Sequence, residues 1–166
     1  MKILESLKNS MCNDKKIKIF DPLRKKEVVL TPEEKVRQSI ICWLHSEAKV
    51  PMGLMMSEFA FKFNGLDYRA DIVIFDRNVN PIMLVECKAP SVKIDNYVIE
   101  QGIRYNRVLK VPYMMFVNGE KCYICKYIEE EQDKNSKKEN KKAHFEFLSK
   151  LPSYSELIKK PKNAVK

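Results

Sequence analysis

The feature that most constrains the fold is a run of three apolar segments separated by two turns, between residues 57 and 88. The first turn contains Asn64 and Gly65, the pair that most strongly favours a tight β-hairpin. The second turn, "DRNVNP", joins the apolar segments "DIVIF" and "IMLVEC". We therefore predict three consecutive antiparallel strands, near residues 57–63, 66–75 and 82–88.

Helical patterns lie on both sides of these strands. In "TPEEKVRQSIICWLHSEA", Thr31 is a good N-cap and Glu34 completes a capping box. In "NYVIEQGIRYNRVLK", Asp95 is the cap, and the strand "YMMFV" follows. A helix between two strands makes them parallel through a right-handed crossover. The sequence thus predicts an α/β restriction-endonuclease-like core, with a mixed sheet of four to five strands flanked by helices in the order α-β-β-β-α-β.

The segments outside this pattern suggest a division of the chain into four parts. Residues 1–30 are an N-terminal extension with short strands, and residues 31–128 form the core. Residues 129–143 are a charged tract without periodicity, which predicts a mobile loop. Residues 144–166 read as a closing segment with a basic tail.

The net charge of +9 is concentrated at the two ends of the chain. Residues 1–30 carry +4, residues 31–132 carry −1 and residues 133–166 carry +6. Such basic segments bind nucleic acid or are simply solvated, and the charge leaves both open. The chain has no apolar run of 18 residues and no secretory signal, so no membrane association and a cytoplasmic location are expected. The lysines predicted to contact DNA lie in the charged tract: Lys134, Lys137, Lys138, Lys141 and Lys142.

Four charged residues interrupt the predicted strands. If the turns set the register, Asp71 lies opposite Glu86 on one side and Glu58 on the other, and Lys88 shares the face of Glu86. Adjacent carboxylates repel one another unless a cation lies between them, and carboxylate oxygens suit Mg²⁺. A magnesium site and a structural ion-pair cluster are both consistent with this pattern. The opposite face is expected to form the core through Phe59, Phe61, Phe63, Tyr68, Ile72, Ile74, Val85 and Cys87.

An Asp followed, some 10–20 residues later, by Glu-x-Lys at a strand end resembles the PD-(D/E)xK nuclease superfamily. More narrowly, the chain is similar to the N-terminal nuclease domain of the restriction subunit of type I restriction enzymes. The segments that carry this resemblance are "FDPLRKKEVVLTPEEKVRQ", "YRADIVIFD", "LVECKAP", "QGIRYN" and "FVNGEKCYICKY". The Gln-x-x-x-Tyr in the fourth of them, Gln101 and Tyr105, is characteristic of these subunits.

The resemblance implies Mg²⁺-dependent cleavage of DNA, with Mn²⁺ as a substitute. It also implies an acidic residue on the first helix, for which Glu34 is the best match and Glu33 the alternative. The implied metal ligands are Asp71 and Glu86, with Glu58 as a further acid. The implied catalytic residues are Asp71, Glu86, Lys88, Gln101, Tyr105 and Glu34.

The chain lacks the phosphate-binding motif G-x-x-x-x-G-K-[ST] of a helicase motor. The protein is therefore expected to be either a stand-alone nuclease-fold protein or a domain that works with other chains, for which a helicase motor or other restriction subunits are the candidates. DNA is the expected partner in both cases, and a homodimer is left open. The alternative function is a nucleic-acid-binding or accessory protein of the same fold that has no catalysis of its own.

Overall fold

Six strands form one sheet in which spatial order follows chain order. The computed structural model describes residues 17–129 and 143–159. The strands of the main sheet are β3 (Met55–Phe63), β4 (Leu66–Phe75), β5 (Pro81–Cys87), β6 (Tyr113–Val117), β7 (Cys122–Glu129) and β8 (Ala143–Leu148). A separate two-stranded sheet and the helices are β1 (Lys18–Asp21), β2 (Lys26–Val29), α1 (Pro32–Ser46), α2 (Asn96–Leu109) and α3 (Tyr154–Leu157).

The predicted α/β fold class and element order are confirmed. All neighbouring strands of the main sheet are antiparallel except β5 and β6, which are parallel and joined through α2. The sheet has six strands because the segment after the charged tract pairs with β7 and adds β8 at the edge. The predicted closing segment contains β8 and the short helix α3.

The register on both sides of β4 is the one that the turns predict. Phe59 pairs with Ala70 across β3 and β4, and Ile72 pairs with Val85 across β4 and β5. The ladder between β3 and β4 skips one position, Glu58, whose φ is +55°. The parts of the strands that carry the charged residues are therefore adjacent, but the sheet is irregular where they meet.

Both faces of the sheet are buried, and the expectation that the apolar residues of β3, β4 and β5 share one core face is wrong. Strict alternation would place Tyr68, Ala70, Ile72 and Ile74 on one face. Instead the alternation slips between Ala70 and Ile72, beside the irregular Glu58. One cluster packs with α1 and includes Ile72, Ile74, Val85 and Cys87. The other packs with α2 and includes Ala70, Val73 and Tyr105, with Phe59, Phe61 and Tyr68 against it.

Helix α1 begins at its predicted cap, but the capping box does not form. The Thr31 hydroxyl accepts a hydrogen bond from the Glu34 amide at 3.1 Å. The Thr31 amide donates to the Val29 carbonyl at 2.9 Å. The Glu34 carboxylate therefore does not cap the helix and binds other side chains.

Helix α2 lies very close to the sheet at one residue. Asp95 caps the helix by accepting hydrogen bonds from two amides of the first turn. A Cβ atom added to Gly102 would overlap the ring of Phe116, which is fully buried on β6. Only glycine allows this distance between the helix and the strand.

The predicted DNA-binding lysines and the basic tail lie outside the described residues. Lys134, Lys137, Lys138, Lys141 and Lys142 fall between residues 129 and 143, and the tail begins at residue 160. No helix in the described part of the chain is long and apolar enough to cross a membrane.

Candidate active site

Asp71 lies on β4 at the irregular position of the sheet, between α1 and the neighbouring strand β5. One of its carboxylate oxygens, Oδ1, accepts a hydrogen bond from Nη2 of Arg37 on α1 at 2.6 Å. The other, Oδ2, accepts from the backbone amide of Cys87 at 2.7 Å. These two bonds fix the carboxylate next to the end of β5, where Glu86 is located.

Glu86 is almost completely buried, with a relative exposure of 2%. Its Oε1 atom has no hydrogen-bond partner among the described residues, while Lys88 Nζ lies 3.7 Å from Oε2. Burial raises the pKa of Glu86, and the charge of Asp71 raises it further, while Lys88 and the amide of Asp71 act in the opposite direction. Glu86 is thus a buried carboxyl group whose negative charge is incompletely balanced.

Lys88 follows β5 on the same side of the chain as Glu86. Its amide donates to the carbonyl of Val117 on β6 at 2.8 Å, which continues the parallel pairing beyond the strand end. Its side chain is half-buried beside the carboxylate of Glu86. This places an ammonium group beside the Glu86 carboxylate at the end of β5, the strand next to the one that carries Asp71.

Gln101 and Tyr105 extend the site onto α2. Gln101 Nε2 donates a hydrogen bond to the Tyr105 hydroxyl at 2.7 Å. Burial raises the pKa of Tyr105, the hydrogen bond from Gln101 lowers it, and the charges of Glu86 and Lys88 also act on it. The phenol is therefore electrostatically coupled to the carboxylates and the amine on β4 and β5.

Arg37 is the residue that the sequence reasoning missed. Its guanidinium contacts four carboxylates: Glu33 at 3.3 Å, Glu34 at 2.6 Å, Glu58 at 2.9 Å and Asp71 at 2.6 Å. The side chain is buried in spite of its charge. A buried arginine needs carboxylate partners. The acidic residues at the start of α1 were therefore a signal from which the position of Arg37 could have been predicted.

Arg24, in the turn between β1 and β2, adds a second guanidinium to this network. It pairs with Asp21 on β1 through a short contact and with Glu34 at 2.5 Å. It also lies 3.7 Å from Glu58. The N-terminal hairpin is thereby bound to α1 and β3 through charge.

The carboxylates of Glu34 and Glu58 are both held by guanidinium groups. Glu34 also accepts from Gln38 Nε2 at 2.8 Å, and Glu58 pairs with Arg69 at 2.6 Å. Glu33 is more exposed than Glu34 and Glu58, and its ion pair with Arg37 is longer, at 3.3 Å. The predicted site residues therefore form two groups, one around Arg37 and one around Glu86, and Asp71 belongs to both.

The second group has a donor set that fits a divalent cation. Glu86 Oε1 is a buried oxygen to which no other group in the described part of the chain is hydrogen-bonded, and the Asp71 carboxylate lies beside it on the next strand. Within residues 17–129 and 143–159, no three His, Cys, Asp or Glu side chains are grouped so that they could hold a metal ion. A site of two carboxylates suits Mg²⁺, which fills its remaining positions with water and substrate oxygens.

Comparison with known protein families matches residues 32–152 to the family described as the type I restriction enzyme R protein N terminus. The chain belongs to this family. The match contains α1, the whole main sheet and α2, and with them both groups of the site. A search of curated proteins finds no match. The resemblance drawn from Asp71, Glu-x-Lys and Gln-x-x-x-Tyr is thus confirmed for this R protein N-terminal domain.

Proposed function

We propose that this R protein N-terminal domain is a Mg²⁺-dependent DNA endonuclease. The observation that carries the proposal is the meeting of Asp71, in the middle of β4, with Glu86 and Lys88 at the end of β5, where one buried carboxylate oxygen has no partner among the described residues. The family supports a restriction nuclease in general terms. The metal, the substrate and the individual roles are our proposal.

Asp71 and Glu86 would hold the metal. Both are anchored before an ion arrives, Asp71 by the Cys87 amide and Glu86 by burial. When bound, Mg²⁺ supplies Lewis-acid chemistry that polarises a phosphoryl oxygen and offsets its negative charge. The raised pKa of Glu86 fits a metal ligand, because a bound cation would stabilise the charged form that burial disfavours.

Lys88 would orient the attacking water and stabilise the charge that develops on the phosphate. Its ammonium is placed by the carboxylate of Glu86, which lies 3.7 Å away. Gln101 and Tyr105 would position either the phosphate or the lysine. The Tyr105 hydroxyl accepts its hydrogen bond from Gln101 and can therefore still donate one.

Lysines outside the described residues would supply further phosphate contacts. Lys134, Lys137, Lys138, Lys141 and Lys142 lie in the basic part of the sequence, and such contacts make affinity fall with salt. DNA is the proposed partner, and a helicase motor or other restriction subunits on separate chains would deliver it. A catalytic role for Glu34 and a ligand role for Glu58 stay predictions.

The test is incubation with supercoiled plasmid and with linear single- and double-stranded DNA, in Mg²⁺, Mn²⁺ or EDTA. We expect cleavage that requires the metal and is lost in Lys88→Ala. Lys93→Ala, which removes an exposed lysine close in sequence, is the matched control and should cleave normally. DNA binding without cleavage under all conditions would instead support the alternative, a binding or accessory protein of this fold.

A further inference from the structure

Arg37 is a fixed positive charge at the centre of the carboxylates around the site. Its guanidinium lies within 3.3 Å of oxygens from Glu33, Glu34, Glu58 and Asp71. Only 5% of its side chain is exposed. Arginine keeps its charge under all ordinary conditions, and its planar fork is suited to several carboxylates at once.

The surroundings of Arg37 stabilise that charge further. Asp71 Oδ1 and Glu34 Oε2 each lie 2.6 Å from its terminal nitrogens. Its Nε atom has no hydrogen-bond partner among the described residues, so the group is held by its two terminal nitrogens. Because arginine stays protonated, the guanidinium remains between these carboxylates as a fixed charge.

Two acids of this network, Glu34 and Glu58, have both of their carboxylate oxygens bound by guanidinium groups. Glu34 Oε1 is bound by Arg24 and Oε2 by Arg37. Glu58 Oε1 is bound by Arg37 and Oε2 by Arg69. A divalent ion would have to displace a guanidinium from either residue.

Glu86 has the opposite environment. The cation within ion-pair distance of it is Lys88, at 3.7 Å, and Oε1 has no partner in the described part of the chain. Asp71 touches both environments, since Oδ1 faces Arg37 and Oδ2 faces the Cys87 amide on β5. Carboxylate oxygens are therefore bound by guanidinium groups on the Arg37 side of Asp71, whereas on the Glu86 side one oxygen has no partner among the described residues.

We propose that Arg37 takes the place of a second divalent cation, so that the site binds a single metal ion through Asp71 and Glu86. Glu34 and Glu58 are then not metal ligands. They hold Arg37, which makes Arg37 a positioning residue for Asp71. This inference rests on the proposed metal-dependent function and specifies its metal content.

The first experiment is a calorimetric titration of the full chain with Mn²⁺ in the absence of DNA. The wild type should bind one ion per chain. Glu34→Gln and Glu58→Gln should keep that stoichiometry, with dissociation constants that change less than about threefold. Glu86→Gln should weaken binding by more than roughly tenfold, because loss of even an outer partner of a metal ligand costs 10–100-fold.

The second experiment exchanges the internal cation. Arg37→Met leaves four neighbouring acids without their shared guanidinium and should bind a second Mn²⁺ ion, with a larger rise in melting temperature than the wild type shows. Arg37→Lys keeps a positive charge and should still bind one ion. If Arg37→Met does not fold without metal, we expect it to fold when Mn²⁺ is added. Circular dichroism would detect this change.

Two ions bound by the wild type, or a loss of affinity in Glu58→Gln as large as in Glu86→Gln, would overturn the inference. A wild type that binds two ions and cleaves DNA would leave the proposed nuclease function intact. A wild type that binds one ion but shows no metal-dependent cleavage would support the single metal site and overturn the nuclease function. A wild type that binds no ion would overturn both.

Discussion

Gln101 donates a hydrogen bond to the Tyr105 hydroxyl across one turn of α2, at a distance of 2.7 Å. The phenol oxygen is the acceptor, so its own hydrogen can be given to a second group. The ring of Tyr105 is held separately, by edge-to-face contacts with Phe61 and Tyr68 at centroid distances of 5.3 and 5.6 Å. The hydroxyl can therefore be removed without loss of the packing.

Tyr105→Phe is expected to lower the DNA cleavage rate by roughly 10–10³-fold, the effect of losing one positioned hydrogen bond. Gln101→Ala should act in the same direction, because the phenol loses its orienting donor. Mn²⁺ affinity, measured by calorimetry, should stay at the wild-type value in both. Tyr68→Phe is the control from the same aromatic group and should cleave normally. Wild-type rates in the two α2 variants would exclude the pair from the mechanism.

Glu86 is expected to make the metal-free protein less stable as the pH rises. Burial raises its pKa from 4.5 to about 8, with a further contribution from the charge of Asp71. Between these values the folded protein holds a proton that the unfolded chain has lost. Folding therefore binds protons in this window, and the free energy of unfolding falls as the pH increases through it.

The measurement for this prediction is urea denaturation in EDTA at pH 5 and pH 8.5. Glu86→Gln should be close to the wild type at pH 5 and more stable than it at pH 8.5, by roughly 1–3 kcal/mol. Adding Mn²⁺ at pH 8.5 should stabilise the wild type and not the variant. An identical pH dependence in both proteins would mean that Glu86 ionises normally.

Asp71→Asn is expected to destabilise the protein, by roughly 1–3 kcal/mol in denaturation experiments. The change weakens a charged hydrogen bond with Arg37 and replaces an acceptor that also binds the Cys87 amide. Asp67→Asn, on the same strand, is the matched control. The Asp67 side chain is 83% exposed, and its ion pair with Lys62 spans 3.7 Å, so the change should be within about 0.5 kcal/mol. Equal stability of the two variants would contradict the Arg37 contact.

Gly102→Ala should destabilise the fold and impair cleavage together. The added methyl group would overlap the ring of Phe116, and such overpacking costs roughly 1–3 kcal/mol, more than the gain in helix propensity. The helix would have to move away from the sheet and take Gln101 and Tyr105 with it. Gly53→Ala is the control, since nothing lies within 4 Å of a Cβ there. Normal stability and activity of Gly102→Ala would show that α2 is not held at this distance.

Local sequence patterns predicted the strands and the adjacency of the charged residues on them. Asn64 and Gly65 fixed one register and the turn at 76–81 fixed the other, because a hairpin pairs residues symmetrically about its turn. Side-chain direction was harder to predict. The slip of alternation beside Glu58 depends on a left-handed backbone at a glutamate, for which the sequence has no clear signal.

The ion network could not be predicted in the same way. Arg37 lies 34 residues from Asp71 and Arg24 lies 10 residues from Glu34. On a helix that begins with "TPEEKVRQ", an arginine is ordinarily a surface residue, and only the packing of α1 on the sheet buries this one. The carboxylates alone would repel one another, as the sequence predicted, and the buried Arg37 guanidinium between them removes much of that repulsion.

The segment that matches the family is shorter than the part of the chain whose contacts stabilise the site and the core. The family match begins at residue 32, whereas Arg24 and its partner Asp21 precede it. The match ends at residue 152, before Tyr154, whose hydroxyl donates to the Phe75 carbonyl at 3.1 Å. A chain trimmed to the limits of similarity would leave Glu34 with one guanidinium in place of two and open one edge of the core. Transfer of this module to another protein should therefore begin at the N-terminal hairpin and extend through α3.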